Sequence, residues 1–216
     1  MNKITVSALG LILILSTGCR WTLGIRGNGH IVTDQRRVGS FSEVSATGGL
    51  KIEWQNGPPS LSVTTDENLL QYVENSITND QLRLRTRERL SPTHGIKIVV
   101  SSPVRNGANI SGAVDLTALQ LAGPKFYFKS TGASDVKLDG AVDELSADMT
   151  GASDLRAKNL QVKSAEISTT GAADAEISVT ESLTVSITGA GSVTYHGNPP
   201  HIEKHVTGAG SIRHKD

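Results

Sequence analysis

Four aspartates recur at one spacing. Asp115, Asp135, Asp154 and Asp174 each lie three residues after a glycine, and Ser192 and Ser211 hold that place in the next two copies. Stacked as a column at ~4.8 Å, neighbouring carboxylates would repel by about 1 kcal/mol at water's dielectric and by more near a protein surface. Backbone N–H donors of an adjoining turn would relieve this. So would a cation bridging the column, or contact with a polysaccharide. Calcium takes oxygen ligands of this kind, but the calcium-binding nonapeptide pattern of β-rolls is missing. The column is therefore a candidate ligand or cation strip, and no metal ligand is assigned.

Other groups carry weaker chemistry. His196, His201 and His205 cluster near the end, but Pro199 and Pro200 interrupt them, and no Cys or acidic residue has zinc spacing. Solvated loop histidines are expected. Arg83, Arg85, Arg87 and Arg89 form a basic stripe expected to be a solvated strand face. Gly27-Asn28-Gly29 precedes neither a Lys-Ser/Thr pair nor a helix, so it is no phosphate loop. No serine elbow or nucleophilic triad is present. A glycosidase needs a carboxyl with a raised pKa in a cleft, and no pair is marked as such. No catalytic residue and no cofactor are expected.

The chain of 216 residues has formal charge +0. Without residues 1–18 it loses only Lys3, which leaves 20 basic against 21 acidic residues, a charge near −1. This balance gives no electrostatic drive toward nucleic acid. Residues 1–18 have the plan of a secretory signal: Lys3, an apolar run from Val6 to Leu15, then Ser16-Thr17-Gly18. The only cysteine, Cys19, follows directly. Gly18-Cys19 resembles the bacterial lipobox, in which the Cys thiol is acylated. Ser16 departs from the leucine usual there. Two acyl chains plus an amino-terminal one would anchor the protein to a membrane. Arg20, in place of Asp, implies by the same resemblance the outer membrane.

The aspartates are positioned by a phrase repeated six times: Ser111-Gly112-Ala113, then Thr-Gly-Ala at Gly132, Gly151, Gly171, Gly189 and Gly208. The glycines lie 20, 19, 20, 18 and 19 residues apart, a period proper to stacked repeats. Apolar residues alternate with polar ones on both sides of each glycine, except at Lys204 and His214. Three short strands and three turns per ~19 residues make a coil of parallel β-helix. Glycine would supply positive φ at a corner, and stacked Ser/Thr hydroxyls would bond each other from coil to coil. The end after Ile212 has no evident polar cap, an invitation to pair with another chain. Earlier in the chain, 50–55, 61–64, 82–85 and 96–100 read as strands. Residues 66–74 read as one short helix capped by Asp66. The expected division is a signal at 1–18, a tether at 19–26 and one domain at 27–216, with irregular coils over 27–108 and regular ones over 109–216.

The run Phe41-Ser42-Glu43-Val44, Thr47-Gly48-Gly49-Leu50-Lys51-Ile52 and Leu61 to Leu70, with the later Gly-Ala-Ser-Asp copies, resembles the bacterial "putative auto-transporter adhesin head GIN domain" family. The resemblance spans about residues 27–214. It implies an all-β, right-handed parallel β-helix in an exported, often lipid-anchored protein, with no assigned catalytic residues. The expected function is non-enzymatic: a cell-envelope lipoprotein acting as a binding or adhesion module for glycans or envelope components. The alternatives are a structural protein that self-associates as a homo-oligomer through its open end, and a polysaccharide-active β-helix enzyme.

Overall fold

A computed structural model describes residues 24–216. The signal segment, Cys19 and most of the tether lie outside the described residues. In chain order come β1 (Ile25–Arg26), β2 (Ile31–Arg36), β3 (Glu43–Gly48), β4 (Lys51–Asn56) and β5 (Ser60–Asp66). A 3-10 turn at Glu67–Tyr72 leads to β6 (Val73–Thr78), β7 (Gln81–Thr86), β8 (Leu90–Ser91), β9 (Lys97–Ser102) and β10 (Gly107–Gly112). Four long strands follow: β11 (Asp115–Gly132), β12 (Asp135–Gly151), β13 (Asp154–Gly171) and β14 (Asp174–Gly189). The last are β15 (Ser192–His196), β16 (His201–Gly208) and β17 (Ser211–His214). Parallel, in-register pairing stacks these strands into a β-solenoid of about 5 turns.

The three short strands expected in each coil run together as one. Each of β11 to β14 bends without losing its ladder. Register shifts mark one bend, between Ala118 and Leu121 in β11 and between Lys137 and Gly140 in β12. The strand stops only at the Ser/Thr-Gly-Ala corner. There Gly132 has φ 122° and Gly171 has φ 111°, a region open to glycine and costly for other residues. Space gives a second reason. A Cβ on Gly132 would lie 2.6 Å from Gly112 O, and one on Gly171 2.7 Å from Gly151 O. The next residue's N–H then bonds the coil beneath: Ala133 to Gly112 O at 3.0 Å, Ala152 to Gly132 O at 2.8 Å, Ala172 to Gly151 O at 2.9 Å. Thr47-Gly48-Gly49 is a seventh corner of the same column, since Gly48 pairs Gly112 and accepts from Ala113 N at 3.0 Å. The expected hydroxyl exchange is not what stacks the threonines. Thr131, Thr150, Thr170 and Thr188 are aligned and exposed, yet no hydroxyl bond joins them among the described residues.

The amino-terminal third is not stacked in chain order. The β3–β4 layer sits between the later β10–β11 layer and the β7 and β9 layer. Antiparallel strands then close that end: β6 on β7, and β5 on β9 with β2 outside it. Such strands spare the parallel stack an open edge. The expected helix at 66–74 is only the 3-10 turn, and Asp66 makes no capping bond to it. The carboxylate instead accepts from Gly29 N at 2.7 Å, Thr93 N at 2.9 Å and Thr93 Oγ1 at 2.8 Å. It thereby pins two loops together.

Inward residues form columns that run through one continuous core from Phe41 to Tyr195. Bulk is shared between layers: Trp54 lies beside Ala118, and Phe128 beside Ala147. Phe41, Trp54 and Phe126 pack together in the core where the β3–β4 and β10–β11 layers meet, with ring centroids 6.3 Å apart in each successive pair. Close fit of this kind is what a stacked core requires, since each coil alone buries little.

Candidate functional site

The structure brings the four aspartates into one column. Asp115 pairs with Asp135, Asp135 with Asp154, Asp154 with Asp174, and Asp174 with Ser192. Lys51 and Lys97 continue the column beneath Asp115, an alignment hidden in sequence because those layers stack out of order. The cation between carboxylates is a side chain. Arg156, on the neighbouring outward column, donates through Nη2 to Asp135 Oδ2 at 2.8 Å and to Asp154 Oδ2 at 2.9 Å. Asp154 first, then Asp135, raise the guanidinium pKa further. Asp174 accepts from Ser192 N and Ser192 Oγ, each at 2.8 Å, so its donors come from the next coil rather than its own turn. Asp115 is exposed, without a side-chain partner among the described residues.

The histidines separate. His196 is buried, contrary to the solvated-loop expectation, and its Nε2 lies 2.8 Å from Glu176 Oε1. That contact, led by the hydrogen bond, lowers the Glu176 pKa. His201 and His205 lie exposed on β16. Among the described residues no three His, Cys, Asp or Glu side chains converge on a metal position. In the arginine stripe, Arg85 and Arg87 both hold Glu74, the former at 2.8 Å, and together they depress its pKa, Arg87 more strongly. All four arginines of the stripe are exposed.

One concavity was not visible in the sequence. β4 pairs β11 only from Asp115 to Ala118, and β10 pairs it only from Tyr127 to Gly132. Among the described residues the stretch between has no strand on its amino-terminal side, which leaves a step in the wall. Arg105 lies buried across that step, donating through Nη1 to Leu119 O at 2.7 Å and Trp54 O at 3.3 Å, and through Nη2 to Gln120 O. It supplies donors that a missing coil would have supplied. Held this way, Gln120 takes φ 56°, a strained setting of the sort found at binding sites.

Above the step is a groove of about 620 Å³ lined by Glu53, Gln55, Asn56, Thr117, Leu119 and Gln120, with Asp139 at its side. Leu119 is 42% exposed. Glu53 pairs with Lys97 at 2.9 Å. The side chains of Gln55, Asn56, Thr117, Gln120 and Asp139 make no hydrogen bond among the described residues and present free donors and acceptors. The volume falls in the ordinary range for ligand clefts. The pattern that would have signalled it, polar residues at Gln55-Asn56 and Gln120, is split between distant strands.

Both sequence and fold relate the chain to known proteins. It matches the family described as "Putative auto-transporter adhesin, head GIN domain" over residues 40–151 and again over 108–199. The two matches overlap because a repeat accepts the same pattern in more than one register. The chain belongs to this family, whose description is that of an adhesin, an extracellular or cell-envelope protein. A structure described as a "putative adhesin" from Bacteroides fragilis superposes with TM-score 0.73 at 20% identity, covering 89% of this chain and 100% of that one. A "putative lipid binding protein" from Parabacteroides distasonis reaches TM-score 0.52 at 22% identity, covering 89% and 99%. A "putative adhesin" from Parabacteroides merdae reaches 0.51 at 18%, also covering 89% and 99%. At such identities the likeness is one of fold. No curated protein matches the chain.

Proposed function

We propose that this chain is a non-catalytic binding module of the bacterial cell envelope that takes a neutral glycan segment in the groove at Leu119. The observation that carries the reading is the groove itself, where five polar side chains without internal partners surround a half-exposed leucine. A sugar offers hydroxyls that both donate and accept, and an apolar face of C–H groups. Carboxamides and a carboxylate meet the former, and Leu119 meets the latter. Asp139, unneutralised beside Glu53 and its Lys97 partner, disfavours an anionic sugar. A lipid tail, the kind of ligand the Parabacteroides distasonis neighbour's description would suggest, would bury the five polar side chains without partners. The acidic column is a weaker ligand strip, because Arg156 and Ser192 already engage three of its carboxylates.

Acylation of Cys19 would hold this module at a membrane, in the outer membrane by resemblance to lipoproteins. A palmitate analogue should label the wild type and leave Cys19→Ala unlabelled; equal labelling removes the anchor from the reading. For the groove, the Cys19→Ala chain should be retained on arrays of neutral envelope glycans. Leu119→Asp, which leaves the core untouched, should weaken retention at least tenfold, about 1.4 kcal/mol. Blank arrays, or an unchanged Leu119→Asp variant, would overturn the groove as the site.

A further inference from the structure

The carboxyl-terminal end of the solenoid is unlike the other. There β16 pairs β14 along one edge, and no described strand pairs its other edge. All eight residues of β16 are exposed. Its inward positions continue the core columns: Ile202 follows Leu183, Lys204 follows Val185 and Val206 follows Ile187. Ile202 is 40% and Val206 44% exposed, so the core ends in open apolar side chains. Pro199 and Pro200, just before β16, have no N–H to give. β16 therefore presents the longer free ladder at this end; the four-residue β17, which pairs β15, presents the other among the described residues. An unpaired edge of this length is a template for another strand.

We propose that the occupant is a second copy of this chain, paired antiparallel through β16 about a two-fold axis at Lys204. The argument is self-complementarity. In this register Ile202 faces the copy's Val206 twice on the core side, and Glu203 faces the copy's His205 twice on the solvent side. Moving the axis by one residue in either direction, a two-residue slip of the partner, breaks both matches. One shift sets Glu203 against Glu203 and Ile202 against Lys204. The other sets His205 against His205 and Val206 against Lys204. The cost of the matched register is Lys204 opposite Lys204. That cost is lowered because each ammonium is drawn back over its own Tyr195 ring, 4.8 Å from the centroid, and bonds the Tyr195 hydroxyl at 3.2 Å. His214 stacks on the ring as well, at 4.9 Å and 22°. Tyr195, Lys204 and His214 thus hold the end of the core in shape while Ile202 and Val206 stay open. A two-fold pairing of this kind closes on itself and stops at two copies.

The inference is independent of the groove, which lies at the step in β11. Sedimentation equilibrium of the Cys19→Ala chain tests it, that variant excluding aggregation through lipid. A monomer–dimer equilibrium is expected, with no larger species. His205→Glu sets carboxylates opposite one another across the axis and should raise the dissociation constant at least tenfold. Glu203→Lys combined with His205→Glu restores opposite charges and should recover the dimer. Both side chains are exposed, so neither change touches the core. A monomer at every concentration, a ladder of larger oligomers, or a dimer indifferent to His205→Glu would each overturn the proposal.

Discussion

Asp66 is wholly buried among groups that donate to it. Burial by itself would raise the pKa of its carboxyl. The N–H and hydroxyl of Thr93 and the N–H of Gly29 outweigh that and hold it below the ordinary value. Gly27 fits there because any Cβ would collide with the carboxylate. A depressed carboxyl stabilises the fold above its unfolded pKa, about 3.9, and loses that contribution as pH falls through the folded value. Urea midpoints of the wild type should therefore drop steeply below about pH 4. Asp66→Asn should lie lower at neutral pH and show a shallower acid limb. Two parallel limbs would mean that another group governs acid unfolding. Sequence suggested a helix cap here, since Asp before an apolar turn is the usual signal. The partners that redirected it, Gly29 and Thr93, lie 37 and 27 residues away.

At the scale of the element, the corner is the unit that repeats. Gly151 has φ 113°, and a Cβ on it would meet Gly132 O. Gly151→Ala should cost about 3 kcal/mol, through backbone strain and a clash that neither main chain can relieve. Gly49 belongs to the corner column too, but a Cβ there meets nothing within 4 Å and its φ is not positive. Gly49→Ala should stay within about 0.5 kcal/mol of the wild type. Equal denaturation midpoints for the two variants would show that the stacked glycines are not required. The long strands follow from the same geometry. Bends such as that at Ala118 shift the register and let the strand run on, whereas the glycine corner ends the strand and holds the coil beneath through turn bonds such as Ala133 N to Gly112 O.

At the scale of the molecule, each regular coil touches only the coils above and below it, so stability should be nearly a sum over layers. Removal of residues 172–189 joins Gly171 to Ala190 and returns every column to register. The shortened chain should retain its β spectrum and melt cooperatively, less stable by about 2 kcal/mol at roughly 0.1 kcal/mol per residue. A non-cooperative melt would mean that the coils are not interchangeable. The amino-terminal layers do not share this freedom. With β3–β4 lodged between later layers, removing either neighbour exposes Trp54 and the Arg105 contacts together.

The sequence by itself determined the coil: glycines at a near-constant period, alternation on either side, and the inward columns at Leu116, Val136 and Leu155. These are local regularities, and period-2 patterning around a forced corner leaves few other ways to bury the apolar side chains. It also determined that four aspartates would align, because equal spacing in a stacked repeat means equal place. Tertiary structure alone decided what neutralises them, since Arg156 reaches across two coils. It alone decided the order of the first layers, the step that opens the groove at Leu119, and the buried bridge of Arg105. Those features depend on pairings between residues tens of positions apart, where neighbouring sequence exerts no preference and the fit of the assembled core chooses.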